Sequence, residues 1–209
     1  MTNATSQVLT ERRLSQGVDD LVMRDADLAG VVDRHGPPPL WARERGFPTL
    51  VHIILEQQVS LASARAAFDR LENALSRVSP EGLLGLSDDE LKRIGFSRQK
   101  TRYCRELARD ILAGRFDLEI LSRLSDTKAR DSLMSLVGIG RWSADIYLLM
   151  ALRRADVWPK GDLALAKAAQ EVKNLDNLPD HDQLEELAES WQPWRAVAAR
   201  VLWHHYLSS

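Results

Sequence analysis

Leu136-Val137-Gly138-Ile139-Gly140-Arg141-Trp142-Ser143-Ala144 is the stretch on which the reading of this 209-residue chain turns. Two glycines flanking one apolar residue make a turn in which positive φ costs little, and the missing side chains let an anion reach the backbone N–H groups. Trp142-Ser143-Ala144-Asp145 then opens a helix whose positive N-terminal end faces the same place. Leu136 and Ile139 are spaced to pack into the crossing of two helices, and Ser143 and Ala144 are small enough to let those helices approach. The segment predicts a helix-hairpin-helix over 136–144 that grips a phosphate backbone through Gly138, Ile139, Gly140, Arg141 and Ser143. Such a grip carries no base-sequence preference. The alternative for the same residues is an ordinary turn between two helices.

Some twenty residues on, Val157-Trp158-Pro159 runs extended, the chain turns at Gly161, and Asp162 stands before a helical pattern of Leu163, Leu165, Ala166 and Ala169. One reading makes Asp162 an N-cap worth about 1 kcal/mol. The other uses the same physics, because N–H donors and the helix dipole favour an ionised carboxylate. At the mouth of a pocket, that charge can stabilise a sugar cation.

Composition sets the frame around these motifs. A chain of 209 residues with 44% hydrophobic content can bury a full core, as one domain or two small lobes. Neither an 18-residue apolar run nor a charged-then-apolar leader occurs, so a soluble, cytoplasmic protein without a membrane span is expected. Cys104, the single cysteine, leaves no partner for a disulfide and no set for a zinc or iron–sulfur site; it is expected to pack in a helix. His35, His52, His181, His204 and His205 lack ligand spacing apart from the last adjacent pair, which reads as a helix terminus, so no catalytic metal is expected.

The net charge of −2 is unevenly distributed. Lys92, Arg93, Arg98, Lys100, Arg102, Arg105, Arg109 and Arg115 face only Glu106 and Asp110 in their segment, whereas 171–189 is acidic. One face could therefore meet phosphates; two solvated helix faces of opposite sign explain the charges equally well.

Apolar residues recur at three and four positions in Leu50, Ile53, Ile54 and in Ala66, Phe68, Leu71, Leu75, and strand-like alternation is scarce, so the fold class is all-α. Helices are expected over about 19–34, after Ser79-Pro80, from Ser87 to Gly95 with a capping box, over 98–113, 126–136 and 143–153, and after Asp162 and Trp194.

Taken together, these features resemble the helix-hairpin-helix DNA glycosylase superfamily, in particular its 3-methyladenine DNA glycosylase II group. The hairpin and the Gly161-Asp162 junction are flanked by Ile53-Ile54-Leu55-Glu56-Gln57-Gln58-Val59-Ser60, like the family's IxxQQxS segment. Leu91 to Lys100 is like its LxxxGxSxxK segment, and Trp191-Gln192-Pro193-Trp194-Arg195 with Trp203-His204 resembles its tryptophan-rich C-terminus. The resemblance covers roughly residues 20 to 207.

It implies an enzyme that flips a damaged base out of double-stranded DNA and hydrolyses its N-glycosidic bond, with Asp162 as the catalytic carboxylate. Alkylated bases of the 3-methyladenine and 7-methylguanine type are the implied substrates. Trp142 stands where bifunctional relatives hold a Schiff-base lysine, which implies a monofunctional enzyme that leaves an abasic site. Trp142, Trp203 and Ile146 are implied base-pocket positions, Ile146 departing from a tyrosine in some relatives; ordinary core packing is the alternative for the two tryptophans. Gln58 aligns with the wedge that fills the gap left by the flipped nucleotide, or is a helix-end amide.

No catalytic cofactor is implied. A monovalent or divalent cation on the carbonyls of Leu136 and Ile139 is the one candidate ligand besides DNA. The expected architecture is a compact monomer over 1–209, without the α/β domain some relatives carry. Its lobe over 48–158 holds the hairpin, a second lobe is built from 18–47 plus 159–209, and DNA and the pocket lie in the cleft. A non-catalytic DNA-binding module, or a glycosylase of the same fold for oxidised or deaminated bases, would share most of these features.

Overall fold

The computed structural model describes residues 8–208. Among them the chain forms twelve α-helices and one 3-10 turn, and the extended pairing is a single bridge between Val8 and Arg154. Two compact units emerge, one from Met1–Ala42 with Leu148–Ser209, the other from Arg43–Tyr147.

The first unit begins with α1 (Glu11–Arg24), capped by Thr10, and α2 (Ala26–His35). The single opening helix expected over 19–34 is thus two helices, broken at Asp25. The reason lies in the Asp25 carboxylate, which accepts from the N–H groups of Asp27 and Leu28 and so starts a new helix. Distant groups hold it there: Lys173 Nζ at 2.6 Å and Trp191 Nε1 at 2.7 Å. Burial alone would raise the Asp25 pKa, but the hydrogen bonds from Lys173, Trp191 and Leu28 outweigh it and leave the carboxyl below its ordinary value. A carboxyl depressed in the folded state contributes stability above its unfolded pKa and loses it as pH falls through the folded one. Asp25→Ala is therefore expected to cost about 2 kcal/mol at neutral pH. Asp25→Asn, which keeps the cap but not the charge, should show a shallower loss of stability below about pH 4 in acid titrations followed by circular dichroism.

The second unit holds α3 (Phe47–Glu56), α4 (Leu61–Ala74), α5 (Pro80–Gly85), α6 (Asp88–Ile94), α7 (Arg98–Leu112), a 3-10 turn (Glu119–Arg123), α8 (Asp126–Met134) and the start of α9 (Arg141–Met150). Its centre is α3, where Phe47, Leu50, Val51, Ile53, Ile54 and Leu55 are all buried, packed against α4 and α7. The Ser87 capping box forms as the spacing predicts, with Glu90 returning to the Ser87 N–H at 2.8 Å, and Gly95 closes α6 at φ +115°. Cys104 is fully buried in α7, and burial pushes its thiol upward.

The first unit resumes with α10 (Leu163–Val172), α11 (His181–Glu189) and α12 (Arg195–Ser208). Small residues Ala196, Ala198 and Ala199 let α12 sit inside this unit against α2 and α10. Arg200 is buried there too, its guanidinium donating to the carbonyls of Leu40, Ala196 and Leu149, and burial pulls its pKa down to about 10. Helix α11 is absent from the expected set. Its signal was present: Asp180 and Gln183 form a reciprocal capping box, each bond 2.9 Å.

Candidate functional site

The hairpin forms where its glycines predict. Helix α8 ends at Met134, Ile139 N–H donates to the Leu136 carbonyl at 3.2 Å, and α9 begins with Ala144 N–H on the Gly140 carbonyl at 3.0 Å. Leu136 and Ile139 are each 5% exposed, as packing residues at a helix crossing should be. The two glycines serve different ends. Gly138 sits at φ +85°, and a Cβ on it would come 2.2 Å from the Tyr103 ring; a Cβ on Gly140 would meet nothing within 4 Å. One glycine is demanded by the fold, and the other leaves backbone open to whatever approaches.

Of the other residues expected to meet phosphate, two are engaged inside the unit. The Ser143 hydroxyl, 3% exposed, accepts from Gln57 Nε2 at 2.9 Å. Arg141 Nε donates to Asp145 at 2.6 Å, and Arg130 Nε donates to the same carboxylate at 2.5 Å. Asp145 is wholly buried; burial pushes its carboxyl upward and the two guanidiniums oppose that shift.

Much of the basic segment is committed in the same way. Lys100 Nζ donates to the Leu55 carbonyl at 2.7 Å, closing the end of α3, and burial pulls its pKa below the usual lysine value. Arg105 binds the Leu86 carbonyl and Asp88, Arg109 pairs with Glu106, and Arg115 with Asp110. Lys100 and Arg105 are thus held by backbone carbonyls, whereas the Arg109 and Arg115 pairs lie at the surface.

Gln58 follows the C-cap of α3, exposed and in the left-handed region at φ +57°. Trp142 is half-buried and Ile146 buried in α9. None of these lines the cavity of about 770 Å³ that the second unit forms from Arg43, Thr49, His52, Glu56, Phe68 and Arg77 among others.

In the first unit, Asp162 and Trp203 come together. Gly161 turns at φ +88°, and Asp162 caps α10 by accepting from Leu165 N–H at 2.9 Å. Its same oxygen, Oδ1, lies 3.3 Å from the indole N–H of Trp203, which is 8% exposed. The cap and the aromatic contact are therefore properties of one carboxylate. The histidines are less scattered than their spacing suggests: the His35 ring lies 6.1 Å from His204 and 5.6 Å from His205, and His205 Nε2 is 3.1 Å from Glu171.

Residues 51–193 match the family described as HhH-GPD superfamily base excision DNA repair protein. The chain is 26% identical over 203 residues to DNA-3-methyladenine glycosylase 1 of Schizosaccharomyces pombe, covering 95% of this chain and 87% of that one. A longer Bacillus subtilis relative is 25% identical over 184 residues, and the match covers 84% of this chain but only 64% of the relative. Among solved structures, a DNA-3-methyladenine glycosidase from Bacillus halodurans superposes with a TM-score of 0.72 at 29% identity, covering 90% of this chain and 87% of that one.

Proposed function

This chain belongs to the HhH-GPD superfamily of base excision DNA repair proteins, and we propose that it hydrolyses the N-glycosidic bond of alkylated purines flipped out of double-stranded DNA. The observation that carries this reading is the Asp162 carboxylate, fixed by the first turn of α10 and by the Trp203 indole. A carboxylate so oriented stabilises the positive charge that develops on the sugar as the glycosidic bond breaks. The departing base takes the bonding electrons. A purine methylated at N3 or N7 is cationic, so those electrons neutralise it and it leaves without being protonated. Water then adds to C1′ and gives up a proton, leaving an abasic site.

Trp142 occupies the hairpin position at which an amine would form a Schiff base with the sugar, and an indole has no such nucleophile. The enzyme is accordingly monofunctional. The same ring offers a π-face to an electron-poor base. The hairpin around Gly140 and the first turn of α9 takes the phosphate backbone, and Gln58, exposed on its left-handed turn, enters the space the flipped nucleotide vacates. A monovalent or divalent cation would be held by the backbone carbonyls of Leu136 and Ile139, the Leu136 oxygen keeping a second lone pair beside the one that accepts from the Ile139 N–H. It would supply positive charge at the hairpin to offset the negative charge of an approaching phosphate.

Purified protein incubated with methylated duplex DNA should release 3-methyladenine or 7-methylguanine, with strand breaks appearing only after hot alkali. Breaks before alkali would contradict the monofunctional reading. Duplex binding without base release would make the chain a binding module.

A further inference from the structure

The Gln57 amide joins two segments of the second unit that lie far apart in sequence, the end of α3 and the hairpin with its following helix. Its Nε2 donates to the Gly138 carbonyl at 2.9 Å and to Ser143 Oγ at 2.9 Å. The first acceptor lies inside the hairpin turn and the second in the first turn of α9, so one side chain fastens both to the end of α3. Each acceptor is itself packed in: Gly138 lies against the Tyr103 ring, and Ser143 is 3% exposed. On the other side, Lys100 Nζ holds the Leu55 carbonyl at 2.7 Å. The residue after this fastening is Gln58, which keeps φ +57° at a cost of roughly 1 kcal/mol or more for a residue with a side chain. A strained conformation persists only where its surroundings fix it, and the fastened Gln57 is its immediate neighbour in the chain.

We propose that Gln57 is a positioning residue that sets the Gln58 turn in register with the hairpin, so that entry of Gln58 into the duplex and the grip on the phosphates occur in one geometry. This rests on the assignment of Gln58 given above. The choice of residue follows from chemistry, since a primary amide has two hydrogens on one nitrogen, one for each acceptor. Methionine fills a similar volume and supplies neither.

The test uses the full chain with Gln57→Met and Ser143→Ala, singly and combined. The probe is a duplex bearing a tetrahydrofuran abasic analogue beside 2-aminopurine, whose fluorescence rises on unstacking; an unmodified duplex and methylated DNA accompany it. For Gln57→Met, we expect loss of most of the fluorescence rise and a single-turnover release rate lowered about 30-fold, with affinity for unmodified duplex within about threefold of wild type. Ser143→Ala should lose about threefold, and the double variant should be no worse than Gln57→Met alone, because the two changes remove one interaction. A full fluorescence rise in Gln57→Met, or losses that simply add in the double variant, would overturn the proposal. Should Gln57→Met fail to fold, Ser143→Ala decides the matter, and an unchanged rise there overturns it. A wild type that unstacks 2-aminopurine but releases no methylated base would reject the glycosylase reading and leave the brace standing. A wild type that gives no rise would reject the brace, whatever it releases.

Discussion

Asp162→Asn is expected to lower single-turnover release of methylated purines by about 100- to 1,000-fold, the usual consequence of removing one preorganised electrostatic group from a charged transition state. Folding should scarcely register the change. Asparagine caps a helix about as well as aspartate, so stability should stay within about 0.5 kcal/mol. Its side-chain oxygen can still accept from the Leu165 N–H and the Trp203 indole, the two bonds the carboxylate makes through Oδ1. The substitution therefore separates charge from architecture. Asp162→Ala does not, since it also removes the cap and the indole's acceptor and should cost a further 1 kcal/mol or so in thermal unfolding. Equal activity in wild type and Asp162→Asn would remove the carboxylate from the chemistry and leave it a cap.

The second large effect divides the two hairpin glycines. Gly138→Ala should destabilise the protein by about 3 kcal/mol, combining the steric cost of a side chain in the left-handed region with overpacking in a filled space. Its backbone is at φ +85°, and the new methyl would lie 2.2 Å from the Tyr103 ring. Gly140→Ala adds its methyl to open space at a backbone without positive φ, and its melting temperature should be close to wild type. What Gly140→Ala should lose is affinity for duplex DNA, by about tenfold, because the methyl stands where a phosphate oxygen must approach the N–H groups. Equilibrium unfolding and fluorescence anisotropy with a labelled duplex would distinguish the two. A Gly140→Ala protein that binds DNA as tightly as wild type would place the phosphate elsewhere.

What could be read in the sequence, and what could not, follows the distance over which each interaction acts. Ser87 reaches Glu90, three residues away, so the start of α6 was legible, as was its end at Gly95. The hairpin was legible because its turn needs a glycine at 138, where φ is positive. The break at Asp25 has a local part, the aspartate's cap on Asp27 and Leu28, but the partner that holds the carboxylate, Lys173, lies 148 residues further along. Gln57 looked like a member of a motif, with nothing to say that its amide would find Gly138 and Ser143. The basic segment left two readings open for a related reason. Charge can be counted along a chain, but whether a lysine faces solvent or a carbonyl, as Lys100 faces Leu55, is decided by packing. At Asp162 the local signal placed the cap correctly, and the partner it could not show was Trp203.

The burial of Cys104 has a practical corollary. It is the only cysteine in the chain, no part of it is exposed, and burial holds its thiol protonated. Toward maleimides and iodoacetamides the folded protein thus behaves as though it had no sulfhydryl at all. A single thiol introduced at an exposed place such as Val137→Cys, where the native side chain is 41% exposed at the hairpin tip, would then carry a dye or spin label without any prior removal of native cysteine. The hairpin turn proposed to meet phosphate could be watched directly, one label per molecule, in otherwise unaltered protein.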